Sequence, residues 1–200
     1  MPAPEPRPAA TLILLRHGAG HSDRGLETLM VQRNPGARFM PGVWVFPGGA
    51  VDDADRGAGD DEAAHRLCAR RELGEEAAVE LGDDAELIAW SRWITPEAVP
   101  VRFDTRFYLA LAPPHARPEA DGEEVVDAVW INPGDALDRH GAGGFELAFP
   151  TITHLKGLRD FTNADDAVAA ARARVVEPIL PRVVGTRDDF RVVLPGDPEY

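Results

Sequence analysis

The apolar run at residues 43–46 stops at Pro47-Gly48-Gly49, and a helix-forming stretch further on ends in Arg71-Glu72-Leu73-Gly74-Glu75-Glu76. This pairing constrains the fold more than any other feature of the chain. Proline cannot continue the ladder of a central strand, and two glycines let the backbone turn sharply or approach a neighbour closely. The chain therefore leaves a sheet here and returns as a helix. Each helical residue turns by about 100°, so Glu72, Glu75 and Glu76, at i, i+3 and i+4, share an arc of roughly 100°. Three like charges that close repel one another. Surface packing gains nothing from them, whereas a divalent cation turns the repulsion into attraction. Alone, the same spacing also describes a solvated acidic helix face in an acidic chain.

The remaining pattern sets the frame around this unit. Residues 52–61 read as a loop rich in Asp and Gly. A helix is expected from about Asp61 to Ala77, capped by Asp60 or Asp61, with Glu62 in its first turn and Ala63, Ala64, Leu67 and Cys68 as its apolar stripe. Strands are expected at 11–16, 28–32, 43–46, 86–94, 103–112, 125–131 and 190–194, with a polar loop at 18–25. In the strand from residue 103, Phe103, Thr105 and Phe107 face one way and Asp104, Arg106 and Tyr108 the other. Asn132-Pro133 is a cap followed by a first-turn proline, so a short helix at 134–139 follows. Further helices are expected at 150–161 and 164–176, the second capped by Thr162 or Asn163. No repeat and no linker divides the chain. Mixed strands with a few long helices predict one α/β domain over 11–200, a sandwich with a mixed central sheet and extra C-terminal helices. The proline-rich residues 1–10 read as a disordered tail.

Charge narrows the function. The formal net charge is −13 and the pI about 4.8. A general nucleic-acid or anionic-membrane surface is excluded, because phosphate backbones need basic patches. A small anionic substrate stays open if metal ions and local arginines offset the repulsion. No apolar stretch reaches membrane-spanning length and no secretory leader is visible, so the expected location is the cytoplasm. Cys68 is the single cysteine and reads as a small buried hydrophobe. His17, His21, His65, His115, His140 and His154 show no paired metal spacing. Trp44, Trp90, Trp93 and Trp130 read mainly as core, with room for one to line a pocket.

Gly49, Asp55, Arg71, Glu72, Leu73, Glu75, Glu76 and Val79 together resemble the Nudix box, in which a glycine, a glutamate and an Arg-Glu-(aliphatic)-x-Glu-Glu-x-Gly-(aliphatic) run follow one another. The sequence departs from that pattern in three places. Asp55 stands for the first glutamate. Fifteen residues separate Asp55 from Arg71 where the pattern has seven. Ala78 stands where the pattern has a glycine that relieves a left-handed backbone. The extra length falls in the loop before the helix, where loop closure makes it inexpensive. Gly-Gly-x-x-Asp-x-x-Asp, Trp93-Ile94-Thr95-Pro96, the stretch Arg102–Tyr108, Trp130, Phe149-Pro150-Thr151 and Pro195-Gly196-Asp197-Pro198 are similar to the coenzyme A diphosphatase-like branch.

The resemblance implies a metal-dependent hydrolase that cleaves a nucleoside diphosphate linked to another moiety. Coenzyme A or acyl-coenzyme A leads, followed by ADP-ribose, dinucleotides and nucleotide sugars. It implies Mg²⁺ or Mn²⁺ on Glu72, Glu75, Glu76 and the Gly48 carbonyl, hard oxygens of the kind Mg²⁺ prefers. Arg71 pairs with Glu75 and orients it. The general base is Glu75 or one of the loop residues Glu123 and Glu124. Arg33 and Arg106 are the candidate phosphate contacts. The partner is a small nucleotide-type molecule, and the C-terminal helices offer a lid, a homodimer interface or a pocket wall. The alternative of another class is a catalytically silent, nucleotide-binding regulatory module, for which Asp55 and Ala78 speak.

Overall fold

One long strand, β1 (Arg7–His17), organises the sheet. The architecture is that of a computed structural model, which describes residues 3–18, 25–57, 59–186 and 189–200. After β1 come β2 (Leu26–Arg33), β3 (Trp44–Val45), β4 (Gly48–Ala50), α1 (Asp53–Arg56) and α2 (Asp61–Ala77). Then follow β5 (Ile88–Ile94), β6 (Phe103–Leu111), β7 (Val125–Ile131), α3 (Pro133–Ala142), α4 (Phe149–Leu158) and α5 (Ala164–Arg172). Short strands β8 (Pro178–Ile179), β9 (Arg182–Thr186) and β10 (Asp189–Val193) close the chain.

The main sheet runs β3-β2-β1-β6-β5-β8, with β4 also on β1 and β7 also on β2. β1 and β6 are parallel over Arg7 to Leu15, while β1 pairs β2 and β4 antiparallel, so the sheet is mixed. The other edge of β1 is divided. Residues 9–11 take β4, and residues 15–17 take β2. This division brings Gly48 and Gly49 against the middle of the sheet, next to where α2 lies.

Strand alternation explains the two cores. Ile13 and Leu15 of β1 and Phe107 and Leu109 of β6 point into a core shared with α3, α4 and α5. Ala10, Leu12 and Leu14 of β1 and Tyr108 and Ala110 of β6 point into a second core covered by α2. Helices on both faces of a mixed sheet make the expected α/β sandwich.

α2 spans the residues its sequence predicts, and Asp60 caps it, its Oδ1 accepting from the Ala63 N–H at 2.8 Å. Its buried face differs from the predicted stripe. Leu67 is turned outward, and the buried line is Ala64, Cys68, Ala69, Leu73 and Ala77, together with Glu72 and Glu76. The docking angle on the sheet, which helical periodicity alone leaves free, selects that face.

Other boundaries move as well. Residues 7–10, expected in a disordered tail, open β1, because Arg7 to Ala10 pair with Phe103 to Arg106 of β6. Residues 52–61 are not all loop, since they contain α1. The strand expected at 43–46 shortens to β3, and β8 and β9 are additional. Of the polar loop expected at 18–25, residues 19–24 lie outside the described residues, and with them His21. Among the described residues no helix is long and apolar enough to cross a membrane.

Candidate metal and diphosphate site

The site grows from the close approach of the β4 backbone to α2. A side chain at Gly48 would stand 2.5 Å from the Ala10 carbonyl, and one at Gly49 would collide with the Glu72 carboxylate. Glycine is required at both positions because the space belongs to others. The Gly48 N–H donates to Glu76 Oε2 at 2.9 Å. Glu72 and Glu76, one turn apart, are thus buried beneath a bare stretch of backbone, Glu76 at 2 % exposure.

Arg71 holds the outer side of this cradle. Its guanidinium grips Asp55 with two bonds, Nε to Oδ1 at 3.1 Å and Nη2 to Oδ2 at 2.9 Å. Nη1 donates to Glu72 at 2.9 Å and to Glu75 at 2.8 Å, and Nη2 reaches the Ala50 carbonyl. Asp55 is 1 % exposed. It stands at the third position of α1 and forms a reciprocal capping box with Asp52. Burial pushes the Asp55 carboxyl up, but the Arg71 guanidinium and the Asp52 backbone N–H outweigh it and hold the group below the usual range. The spacing of Asp52 and Asp55, an acid three residues after a cap, was the sequence signal for α1 within the stretch read as loop. Aspartate in place of glutamate is made good by this short helix, which carries the carboxylate to Arg71.

Of the two inner carboxylates, Glu72 shares Arg71 with Asp55 and Glu75, and Glu76 accepts the Gly48 N–H. Burial pushes Glu76 up to about 8; the Gly48 N–H and Arg33 pull down, while Glu72 and Glu124 push further up. Glu72 is raised by burial too, with Arg71 opposing and Glu75 and Glu124 adding to the rise. In both groups burial, with little positive charge nearby, favours the protonated form.

The structure sorts the sequence candidates. Glu72, Glu76, Gly48, Arg71 and Asp55 come together. Glu75 lies at the rim, tied to Arg71, so the three glutamates do not point at a common centre. Among the described residues no group of three His, Cys, Asp or Glu side chains is gathered as a ready metal cluster. Two carboxylates, a carbonyl and several waters still suit Mg²⁺, which keeps part of its hydration.

Glu124 lies close enough for its charge to act on Glu72 and Glu76. Its turn is fixed by Asp121, whose carboxylate accepts the N–H groups of Glu123, Glu124 and Val125. Glu123 shares that turn and its carbonyl accepts from Asn34. Arg33 stands between a polar pocket lined by Asn34, Glu123 and Glu124 and a deeper apolar groove that begins at Gly48.

Arg106 corrects an expectation. It does point to the α2 face, but Asp61 and Glu62 in the first turn of α2 hold its guanidinium. Eleven residues of helix rise separate that turn from Glu72, about 16 Å. Arg106 anchors the helix start and does not reach the cradle. Among the described histidines, His154 is buried, hydrogen-bonded to Ser91 at 2.7 Å, and burial pushes it down to about 3. Residues that the sequence did not single out are Phe39, Met40 and the C-terminal hairpin, which line the groove without any local motif.

Known proteins fit this arrangement. The sequence profile of the NUDIX domain matches residues 6–148. A Caenorhabditis elegans protein named nudix hydrolase 7 is 29 % identical over 86 % of this chain and 69 % of its own length. The human acyl-coenzyme A diphosphatase NUDT19 is 26 % identical over 88 % of this chain and 72 % of its own. The crystal structure of a NUDIX hydrolase from Alicyclobacillus acidocaldarius superposes with a TM-score of 0.72 at 30 % identity, covering 82 % of this chain and 96 % of that one.

Proposed function

This chain belongs to the Nudix family of hydrolases, and from that premise we propose that it hydrolyses the diphosphate of coenzyme A or an acyl-coenzyme A, using Mg²⁺ or Mn²⁺. The observation that carries the proposal is the pair Glu72 and Glu76, buried under the Gly48-Gly49 backbone with more negative charge than their surroundings neutralise. A regulatory module that only bound nucleotides would have no use for that repulsion, which argues against the catalytically silent alternative.

Glu72 and Glu76, with the Gly48 carbonyl and Glu75 at the rim, would hold the cation. When bound, it would screen the diphosphate and make the attacking water more acidic. The protein groups do the rest. Arg71, braced by Asp55, fixes Glu72 and Glu75 in place. Arg33, whose charge acts on Glu76 and whose Nε donates to the Phe39 carbonyl, is the group to receive a phosphate oxygen. Glu124 is the proposed base, because it faces the buried pair while Glu75 is engaged by Arg71. The water oxygen bonds to one phosphorus, its proton passes to Glu124, and the bond from that phosphorus to the bridging oxygen breaks. A phosphopantetheine product and an adenosine nucleotide result. The choice of coenzyme A over ADP-ribose, dinucleotides or nucleotide sugars is supported by the named activity of NUDT19 and by the apolar groove at Gly48. The cytoplasm and a single domain over residues 11–200, extended by β1 to Arg7, belong to the same reading.

The test incubates the purified protein with Mg²⁺ and coenzyme A, ADP-ribose, a dinucleotide or a nucleotide sugar. Release of an adenosine nucleotide from coenzyme A is the expected result. Release of a mononucleotide only from one of the others would move the substrate, and release from none would end the proposal.

A further inference from the structure

The groove that begins at Gly48 and Arg33 has a volume of about 380 Å³, inside the range of roughly 300–1,000 Å³ typical of small-molecule sites. Its floor follows β6 from Phe107, whose partner on β1 is Thr11 beside Gly48, to Phe103. Four residues of strand separate those ends, about 13 Å. Arg7 stands opposite Phe103 in the parallel register, and its guanidinium lies over the Phe103 ring, 5.9 Å from the centroid. Phe39 meets the same ring with centroids 6.1 Å apart and keeps 43 % of its surface exposed. Arg7 is exposed too, and among the described residues no carboxylate pairs with it. Its backbone is nonetheless held. The carbonyl of Arg102, a residue only 8 % exposed, accepts the Arg7 N–H at 2.9 Å. The Arg102 guanidinium donates to the Pro4 carbonyl at 2.7 Å and to the Thr95 carbonyl at 3.0 Å. This buried arginine fixes the start of β1, and with it Arg7, at the far end of the groove.

We infer that Arg7 is the contact for a second phosphate of the substrate, the 3′-phosphate that coenzyme A carries on its adenosine, and that the adenosine occupies the groove between Arg33 and Arg7. The inference rests on the diphosphatase reading and adds a residue that separates coenzyme A from nucleotides without that phosphate. A groove that opens on a diphosphate can take either arm of the molecule. The pantetheine arm has neither an anion nor an aromatic ring, so Arg7 and the rings of Phe39 and Phe103 would be idle against it. The adenosine arm has both: a base that stacks on aromatic side chains and a phosphate that a guanidinium binds through paired N–H donors. The 3′-phosphate lies one ribose from the diphosphate, so the span to cover is shorter than the groove, and the long Arg7 side chain can close the remainder. In a chain of net charge −13, a guanidinium without an internal acid is available to an anion from outside. The polar pocket on the other side of Arg33, at Asn34, Gly36 and Glu123, is left to the amides of the pantetheine arm.

Two measurements test the inference. In the first, kcat/KM with Mg²⁺ is compared for coenzyme A and 3′-dephospho-coenzyme A, which differ only in that phosphate. The wild-type protein should prefer coenzyme A by about tenfold or more, chiefly through KM, as expected for one charge-assisted contact. Arg7→Ala should reduce that ratio to about twofold or less, and Arg7→Lys, which keeps the charge, should retain part of it. Phe39→Ala, which removes a stacking surface common to both substrates, should slow both alike and leave the ratio in place. A wild-type ratio near one, or a ratio that Arg7→Ala leaves intact, overturns the inference while the diphosphatase reading stands. In the second, calorimetry follows binding of adenosine 3′,5′-bisphosphate and of adenosine 5′-monophosphate, neither of which has a diphosphate to hydrolyse. Binding of the bisphosphate that is tighter by about tenfold, with the advantage lost in Arg7→Ala, supports the subsite even if no coenzyme A is hydrolysed. Equal binding of the two by the wild-type protein overturns it.

Discussion

Helix α2 carries acids at both ends, and the two ends are neutralised differently. In its first turn Asp61 and Glu62 meet Arg106, with Arg66 adding a bond to Glu62 and the Tyr108 hydroxyl donating to the same carboxylate. Two carboxylates face two guanidiniums there, at a partly exposed surface. At its last turns Glu72, Glu75 and Glu76, joined by Asp52, Asp55 and Glu124, face Arg71 and Arg33 alone among the described residues, which is six carboxylates against two guanidiniums. Three of the six, Asp55, Glu72 and Glu76, are buried. The first end is what a fold does with charge when stability is the only requirement. The second keeps an excess in a place where burying unpaired charge is expensive. The same helix thus shows, within itself, the difference between a structural ion-pair network and a buried excess of carboxylate, where the cation is proposed to bind.

The sharpest break of this comparison exchanges one acid at each end. Glu76→Gln should lower turnover on the order of a thousandfold, because it removes a charge from the cation cradle. Glu62→Gln should change turnover by no more than about twofold. Equal effects in a steady-state assay would erase the distinction between the two ends.

Protonation separates them next. Glu76 binds its proton more tightly folded than unfolded, with a folded value near 8 against an ordinary 4.5. The folded state therefore holds more protons between those values, and stability of the metal-free protein falls as pH rises through that window. A loss on the order of 3 kcal/mol is expected between pH 5 and 8.5. Added Mg²⁺ should restore it by binding the folded state alone. Denaturant unfolding in a chelator, with and without excess Mg²⁺, measures both. A metal-free protein that grew more stable toward pH 8.5 would contradict the charge excess.

Asp55→Ala probes the brace. It leaves Arg71 without its bidentate partner and should destabilise the fold by about 2–3 kcal/mol while also lowering turnover. At the opposite end, Arg106→Ala should lower stability by only about 1 kcal/mol, since its acids are partly exposed and screened, and should leave kcat unchanged. The smallest effect concerns the helix stop. Ala78 sits at φ 51°, ψ 32°, in the left-handed region, with its N–H on the Gly74 carbonyl. Ala78→Gly should stabilise the protein by about 0.5–1 kcal/mol in thermal or chemical unfolding, because it relieves that backbone strain.

Much of the site was legible from local spacing. The bounds of α2, its Asp60 cap, the placement of Glu72 and Glu76 one turn apart and the strained stop at Ala78 all follow from interactions within four or five residues. The Arg71–Glu75 pair follows from the same spacing. What could not be read locally depends on partners far away in the chain. Arg106 was a reasonable phosphate contact by alternation, yet Asp61 and Glu62, 44–45 residues earlier, take it. Leu67 belonged to a plausible apolar stripe, yet the sheet selects the neighbouring face. Residues 7–10 looked like tail because proline-rich segments have weak local preferences, and their pairing with β6 closes a separation of nearly a hundred residues.

The sequence by itself determined the kind of chemistry: a strand that must stop at Pro47-Gly48-Gly49, a helix whose last turns concentrate carboxylates, and an arginine to orient them. These are short-range facts, fixed by helical periodicity and by the absence of side chains at two positions. Only the tertiary structure decided which of those carboxylates are buried and which are answered. The divided edge of β1 sets Gly48 over Glu76, α1 delivers Asp55 to Arg71, and the turn before β7 brings Glu124 to the buried pair. The reason is electrostatic. A carboxylate's proton affinity, and so its use, depends on burial and on charges within a few ångströms, and those come from elements that meet only once the chain has folded.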